Sequence, residues 1–288
     1  MIRGNEHLQL LSRAIRLKLG LQTILGLSRR GFFIPYGAAA NVAGHEQQSY
    51  PWIKAAFDAR RDDFAAFLAR IDANADALLA IKGLEPPQPR FEQDWFPRLD
   101  AAAHYTMVRE QAPERIIEIG SGHSTRFMAR ALADGDLTAD FTAIDPHPRA
   151  DISKLPVKLV RRPLQDADRA LFAALKPGDF LCIDSSHVYM PGTDVEVLIN
   201  HILPQLPADV FVFVHDIFLP DAYPPDWQPT GYNEQNAIAT LLQGPYEPVF
   251  ASAYAVKYMT ADVDKTVLGK IPLHPGGIEN GLWLRKTD

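Results

Sequence analysis

The chain has a single cysteine, Cys182, among its 288 residues, which excludes an intrachain disulfide framework and any metal site built from several thiolates. It also lacks a long uninterrupted apolar run. In HLQLLSRAIRLKLGLQTILGLSRR, residues 7–30, Arg13, Arg16 and Lys18 interrupt the leucines well before the roughly 20 apolar residues that a bilayer span needs. No apolar core followed by a small-residue cleavage site marks a secretory signal. Excess positive charge is missing too: the formal charge is −6, and counterion release from nucleic acid requires clustered cations. These absences point to a cytoplasmic chain without a membrane span or a nucleic-acid partner.

What is present suffices for a folded body. A hydrophobic content of 47% over this length fills one large domain with an extension, or two small domains. A basic amphipathic stretch such as the N-terminal one can lie on an anionic membrane, but its apolar face is expected to pack on its own protein or on a twin subunit, which makes a homodimer through the N-terminal helices credible. Phe57, Phe64, Ile71 and Leu78 then recur every seven residues, with Phe67, Leu68 and Ile81 widening the stripe, and this period predicts a long amphipathic helix. Gly83 and EPPQPR end it, because proline lacks an amide and excludes helical geometry from its predecessor. A boundary is expected near residue 90, separating an N-terminal helical extension (1–90) from a second domain (91–288).

Beyond that linker, short apolar runs close on polar groups: RIIEIG (115–120), DFTAID (140–145), VKLVRRPL (157–164), DFLCID (179–184) and VFVFVHD (210–216). Between the last two, Val195, Leu198, Ile199, Ile202 and Leu203 share one helical face before Pro204. Strands alternating with helices imply right-handed crossovers and a parallel sheet, with ligands at the carboxyl ends of the strands. Asp184, Ser185, Ser186 and His187 would project into that crevice. In EIGSGHST, Gly120 and Gly122 sit where a strand turns into a helix, so that backbone can approach a ligand, with Ser124 as a helix cap. The third glycine of the dinucleotide fingerprint is replaced by Thr125, which argues against nicotinamide chemistry on the same sheet. Asp145 ends the second run, where a carboxylate can accept both ribose hydroxyls.

With IIEIGSGHST, AIDPHP, FLCIDSSH and VFVHDIF in this order, the sequence resembles the class I S-adenosylmethionine-dependent methyltransferases over roughly residues 95–286. The resemblance implies an α/β fold: a Rossmann-like, doubly wound, mostly parallel seven-stranded sheet whose last strand, GGIENGLWLRK after YEPVFASAY, is antiparallel. It implies S-adenosylmethionine held by Glu118, Gly120, Ser121 and Gly122 around the methionine part and by Asp145 at the ribose. Ser124, Asp184 and Ser185 complete the set, with Gln165 and Asp166 at the adenine. Trp283 is read as core.

IDSSHVY is similar to the aspartate-x-x-lysine segment of catechol-type O-methyltransferases, which implies a cation ligand at Asp184 and a base at His187. An unperturbed imidazole, pKa about 6.5, is largely neutral at cytosolic pH and can take a hydroxyl proton. His215 and Asp216 fall where that family has the rest of its metal site, but Ile217 stands at its asparagine position. His215 or Asn233 could substitute, and an Asp184, Asp216 and Asn233 set would be oxygen-rich, as Mg2+ or Mn2+ prefers. The implied reaction is O-methylation of a small-molecule acceptor, with Asp184, His187, His215 and Asp216 as the catalytic group. The acceptor pocket is expected in residues 217–235, with Tyr223, Trp227 and Tyr232, facing a wall of Trp95, Phe96 and Tyr105. Two other classes of function fit less well: a nicotinamide-dependent oxidoreductase, and a non-catalytic partner protein docking through residues 1–85.

Overall fold

The computed structural model describes residues 14–42, 49–83 and 85–288. The chain parts into two compact units, residues 1–47 and 48–288. In the first, a helix over residues 14–24 ends at Gly26, whose φ of +69° lets the amides of Leu27 and Ser28 reach back to the carbonyl of Gln22, the usual service of glycine at a helix C-terminus. The N-terminal part of the basic leucine-rich stretch, residues 7–13, lies outside the described residues.

The second unit is built on seven strands: β1 (Arg115–Ile119), β2 (Asp140–Ile144), β3 (Lys158–Val160), β4 (Phe180–Ile183), β5 (Phe211–Val214), β6 (Tyr246–Ala251) and β7 (Leu282–Lys286). Their order is β3-β2-β1-β4-β5-β7-β6. β1 to β5 pair in parallel, and β7 runs antiparallel between β5 and β6. This is the mostly parallel, doubly wound, Rossmann-like sheet with an antiparallel last strand that the motifs imply. β1, β2, β4 and β5 are buried along nearly their whole length, which is why each reads as a continuous apolar run rather than an alternation. The order reverses between β1 and β4, so the crevice expected at a topological switch point opens there. β6 and β7 pair across a long helical connection, residues 252–281, rather than a tight turn.

Three expectations are modified. The heptad helix is three segments, Pro51–Asp58, Arg61–Ala73 and Ala75–Leu79, although Phe57, Phe64, Ile71 and Leu78 are all fully buried as their spacing predicts. The proline-rich linker does not part the compact units: the chain divides at residue 47, not near 90. The cause is aromatic packing, since Phe67 stacks on Phe250 of β6 at 4.6 Å and Phe64 meets the same ring edge-on at 5.8 Å. The segment after Asp194 also changes character, widening to a π turn at Leu198–Ile202 and tightening at Leu203–Gln205 around Pro204.

Gly120 sets the approach of β1 to β4. Its φ is +82°, and a Cβ there would lie 1.9 Å from the carbonyl oxygen of Asp184. Gly120→Ala therefore forces both a left-handed alanine and a backbone displacement, and is expected to cost about 3 kcal/mol. Urea unfolding checks this; an unchanged midpoint would contradict it.

Candidate active site

The polar ends of β1, β2, β4 and β5 converge on one edge of the sheet. After β1 the chain turns at Gly120 into the helix His123–Asp134. Ser121 Oγ donates to Asp145 Oδ2 at 2.8 Å, and the amide of His147 donates to Asp145 Oδ1 at 2.7 Å, so the carboxylate is fixed at the rim of a cavity of about 510 Å³. Its wall includes Ser121, Asp145, Gln165, Asp184, Ser185 and Thr193. That volume lies within the roughly 300–1,000 Å³ of small-molecule sites. Ser185 Oγ is buried in this wall without a protein partner, an orphaned group that a polar ligand would satisfy. A second cavity of about 400 Å³ opens beside it, lined by Gln93, Trp95, Phe96, Gly122 and His274 among others, and the two share Ser121, Arg149 and Asp184.

Glu118 does not line either cavity. It is buried, and accepts hydrogen bonds from Ser124 and Thr125 at the start of the helix, so it joins β1 to that helix. Burial pushes its carboxyl up to about 8 against the lowering effect of the two hydroxyls. Ser124 lines the second cavity. Gln165 borders the first cavity and donates to the carbonyl of Gly192, whereas Asp166 lies outside that wall.

At the other side of Asp184 stands a cluster of titratable groups. His187 is buried; its Nδ1 is 2.9 Å from Glu234 Oε2, and its Nε2 is 3.3 Å from Asp184 Oδ1 and 3.2 Å from Asp216 Oδ2. Buried His215 lies behind, with Nδ1 3.7 Å from Asp184 and 3.5 Å from Asp216, and Nε2 3.4 Å from Asp100. Both His187 (φ +56°) and Asp216 (φ +57°) adopt left-handed backbone, which costs on the order of 1–3 kcal/mol each and clusters at functional sites. The turn at His187 is held because its carbonyl accepts the amides of Asn233 and Glu234, which open the helix Glu234–Leu241.

These surroundings change the protonation expected of His187. Burial disfavours an imidazolium, but hydrogen bonds to Asp184 and Glu234 and the charge of Asp216 outweigh it, raising the pKa to about 10. Without a further cation, the ring is therefore protonated at neutral pH, not the neutral imidazole that its type suggests. Burial acts on Asp184 in the opposite sense, yet its bonds to His187 and His215 hold its carboxyl below the usual range. His215 is likewise raised, against burial, by Asp216, Asp100 and Asp184.

One ligand atom from each of Asp184, His187 and Asp216 lies within 4.8 Å of the others, a donor set that fits a divalent cation. Asn233 does not join it. Its Oδ1 accepts the Tyr189 amide at 2.6 Å and its Nδ2 donates to the Tyr189 carbonyl at 3.2 Å, so both ends of the amide are committed to the loop. Its neighbour Glu234 is the residue that reaches the cluster, and the sequence reading missed it. Arg149 was missed as well: its guanidinium lies 4.7 Å over the Trp95 ring, above the junction of the two cavities.

Among the expected acceptor residues, Tyr232 packs on His187 with ring centroids 4.8 Å apart. The rings of Tyr223 and Trp227 are nearly parallel with centroids 6.4 Å apart, and both contact Phe218. Tyr105 does not face the site: it is fully buried and donates its hydroxyl proton to Asp134 at 2.8 Å, tying the helices Arg98–Gln111 and His123–Asp134 together. Trp283 is core, as expected.

Residues 117–217 match a family described as a methyltransferase domain, a span running from β1 to the turn after β5. Over that span the family description agrees with the methyltransferase resemblance, and the strand order is the one that resemblance implies. Solved structures similar to this chain include a methyltransferase of Podospora anserina with bound S-adenosylhomocysteine, at 16% identity, covering 90% of this chain and all of that one, with a TM-score of 0.42. An O-methyltransferase of Streptomyces achromogenes involved in tomaymycin synthesis, with bound S-adenosylmethionine, is 15% identical over 77% of this chain and 90% of its own, TM-score 0.39. An O-methyltransferase of Bacillus cereus with S-adenosylhomocysteine is 14% identical over 77% and 91%, TM-score 0.37. No curated protein matches the chain.

Proposed function

We propose that the protein transfers the methyl group of S-adenosylmethionine to a hydroxyl oxygen of a small molecule. The observation that carries this reading is that Asp184 borders both cavities and also belongs to the Asp184–His187–Asp216 cluster. Asp145 and Ser121 would hold the ribose, Gln165 the adenine, and Ser185 a further polar atom. Bound there, S-adenosylmethionine supplies an electrophilic methyl carbon, which is the cofactor's own chemistry. The acceptor hydroxyl would enter through the second cavity past Trp95, forming a C–O bond as the S–CH3 bond breaks, with its proton passing to water and S-adenosylhomocysteine departing. The chain supplies alignment and exclusion of water, and alignment alone can be worth roughly 7 kcal/mol or more.

In this reading Asp184, His187 and Asp216 would hold a divalent cation, which when bound would supply acidification and orientation of an acceptor hydroxyl. Glu234 would keep the hydrogen on His187 Nδ1 and leave the Nε2 lone pair toward the two carboxylates, the carboxylate–histidine arrangement common behind metal ligands. A nitrogen donor suits Mn2+ better than Mg2+. His187 as a general base is the competing assignment for the same atom, and it requires the imidazolium to lose its proton without a cation.

Asp145→Ala is expected to weaken S-adenosylmethionine binding at least about tenfold, as two hydrogen bonds to a charged group are lost. Isothermal titration measures it. Unchanged affinity in that variant would remove the cofactor assignment.

A further inference from the structure

The first compact unit has a surface that methyl transfer does not use. On the helix over residues 14–24 and the turn that ends it, Leu17, Leu21, Ile24 and Leu25 recur at i, i+4, i+7 and i+8, the spacing of one helical face. All four are exposed, Leu25 to 66%. Arg16 and Lys18 flank this face. The apolar surface continues through Leu27, Phe32, Phe33 and Ile34, which are also exposed, Phe33 to 64%. Arg29 sits 5.1 Å over the Phe32 ring, and the Arg30 amide donates to Thr23 Oγ1 at 3.0 Å, tying the basic pair back to the helix.

Charge separates the candidate partners. Residues 14–42 contain Arg16, Lys18, Arg29 and Arg30 and no aspartate or glutamate, while the whole chain carries −6. A twofold pairing of this segment with its own copy would bring cations against cations with no carboxylate in either. Docking on the acidic second unit of another copy would supply charge. It would supply little apolar surface, however, since the large hydrophobics exposed there, among the described residues, are Trp52, Trp95, Leu273 and Ile278. Nucleic acid would supply phosphate but nothing to receive a leucine face. An anionic lipid surface supplies both, accepting an apolar face below the headgroups and cations among them.

We propose that residues 14–36 form an interfacial anchor that binds the enzyme peripherally to anionic lipid bilayers, with Leu17, Leu21, Ile24 and Leu25 inserted and Arg16, Lys18, Arg29 and Arg30 at the headgroups. No helix among the described residues is long and apolar enough to cross a membrane, so the attachment is lateral. It would bring the methyltransferase unit to acceptors that partition into or near the bilayer.

The test is co-sedimentation of the full chain with phosphatidylcholine vesicles and with vesicles that also contain phosphatidylglycerol. The expected result is binding to the anionic vesicles that falls as salt rises. Leu21→Glu/Leu25→Glu and Arg29→Glu/Arg30→Glu should each weaken it at least about tenfold, with S-adenosylmethionine affinity unchanged. Equal binding to both vesicle types would overturn the role of the cations. Failure to bind either type would overturn the proposal outright, and a wild-type dimer dissolved by Leu21→Glu/Leu25→Glu would then assign the face to a second copy. Binding to nucleic acid but not to vesicles would overturn it equally. None of these outcomes bears on the cofactor site, so the proposal fails independently of the methyltransferase reading.

Discussion

Asp184→Asn is expected to leave the fold intact while lowering methyl transfer by about two to three orders of magnitude, the range seen when one preorganised electrostatic contact is removed from a reacting centre. The substitution preserves shape and keeps the backbone amide that donates to the Ile119 carbonyl at 2.9 Å, so the fold survives although part of the support for protonated His187 is lost. What disappears is the charge. The carboxylate borders both cavities and faces His187 at 3.3 Å and His215 at 3.7 Å. Mn2+ affinity, read by electron paramagnetic resonance, should fall by at least about tenfold, since ligand loss exceeds the 10–100-fold effects of groups behind the ligands. Transfer is measured as S-adenosylhomocysteine released with a panel of catechols and other small hydroxyl acceptors. A variant that binds Mn2+ as tightly as the wild type and turns over an acceptor equally well would remove Asp184 from the reacting centre.

Much of the scaffold was legible because burial on both faces of a parallel sheet demands uninterrupted apolar runs. Each of the runs at 115–120, 140–145, 157–164, 179–184 and 210–216 contains a strand. The polar residues that close them, Asp145, Asp184 and Asp216, stand at the sheet edge because a strand end is the one place where such a run can release a carboxylate. The heptad spacing told which face of residues 51–81 is buried but not what buries it, because Phe250 lies far away in sequence. The division of the chain was therefore hidden, as were the breaks near residues 59 and 74.

Side-chain direction at the site was the harder part. Asn233 and Glu234 are adjacent, and only the left-handed turn at His187, together with the start of the helix Glu234–Leu241, determines that the glutamate reaches the imidazole while the asparagine clamps Tyr189. Tyr105 shows the same limit: its place before the first strand suggested a wall of the acceptor pocket, but only the neighbouring helix decides that its hydroxyl meets Asp134. The protonation of His187 was misjudged for a related reason. Its three carboxylates come from the segments after β4, after β5 and at residue 234, so no local pattern announces their sum.

That sum predicts a pH dependence. In chelator-treated protein, stability should fall as pH rises from about 6.5 to about 10, because His187 has its folded pKa raised to about 10 from 6.5. The folded chain holds this proton more tightly than the unfolded chain, so the contribution is fully present below pH 6.5 and lost as pH passes through 10. Its size is on the order of 5 kcal/mol, at 1.36 kcal/mol per pKa unit. His215 shifts in the same direction, and Glu118, raised to about 8, also favours the folded state at lower pH, so the wild-type slope alone does not isolate His187. Glu234→Gln does. It keeps an oxygen to accept the Nδ1 hydrogen but removes the charge, and should move the high-pH end of the loss to lower pH while leaving the contributions of His215 and Glu118 in place. Mn2+ should flatten the wild-type profile over the same range, since a cation against Asp184 and Asp216 replaces the proton it displaces. Thermal melts from pH 6 to 10, with and without Mn2+, measure all three effects. Superimposable profiles for wild type and Glu234→Gln would mean that Glu234 does not govern the imidazole, and a metal-bound profile as steep as the metal-free one would place the cation elsewhere.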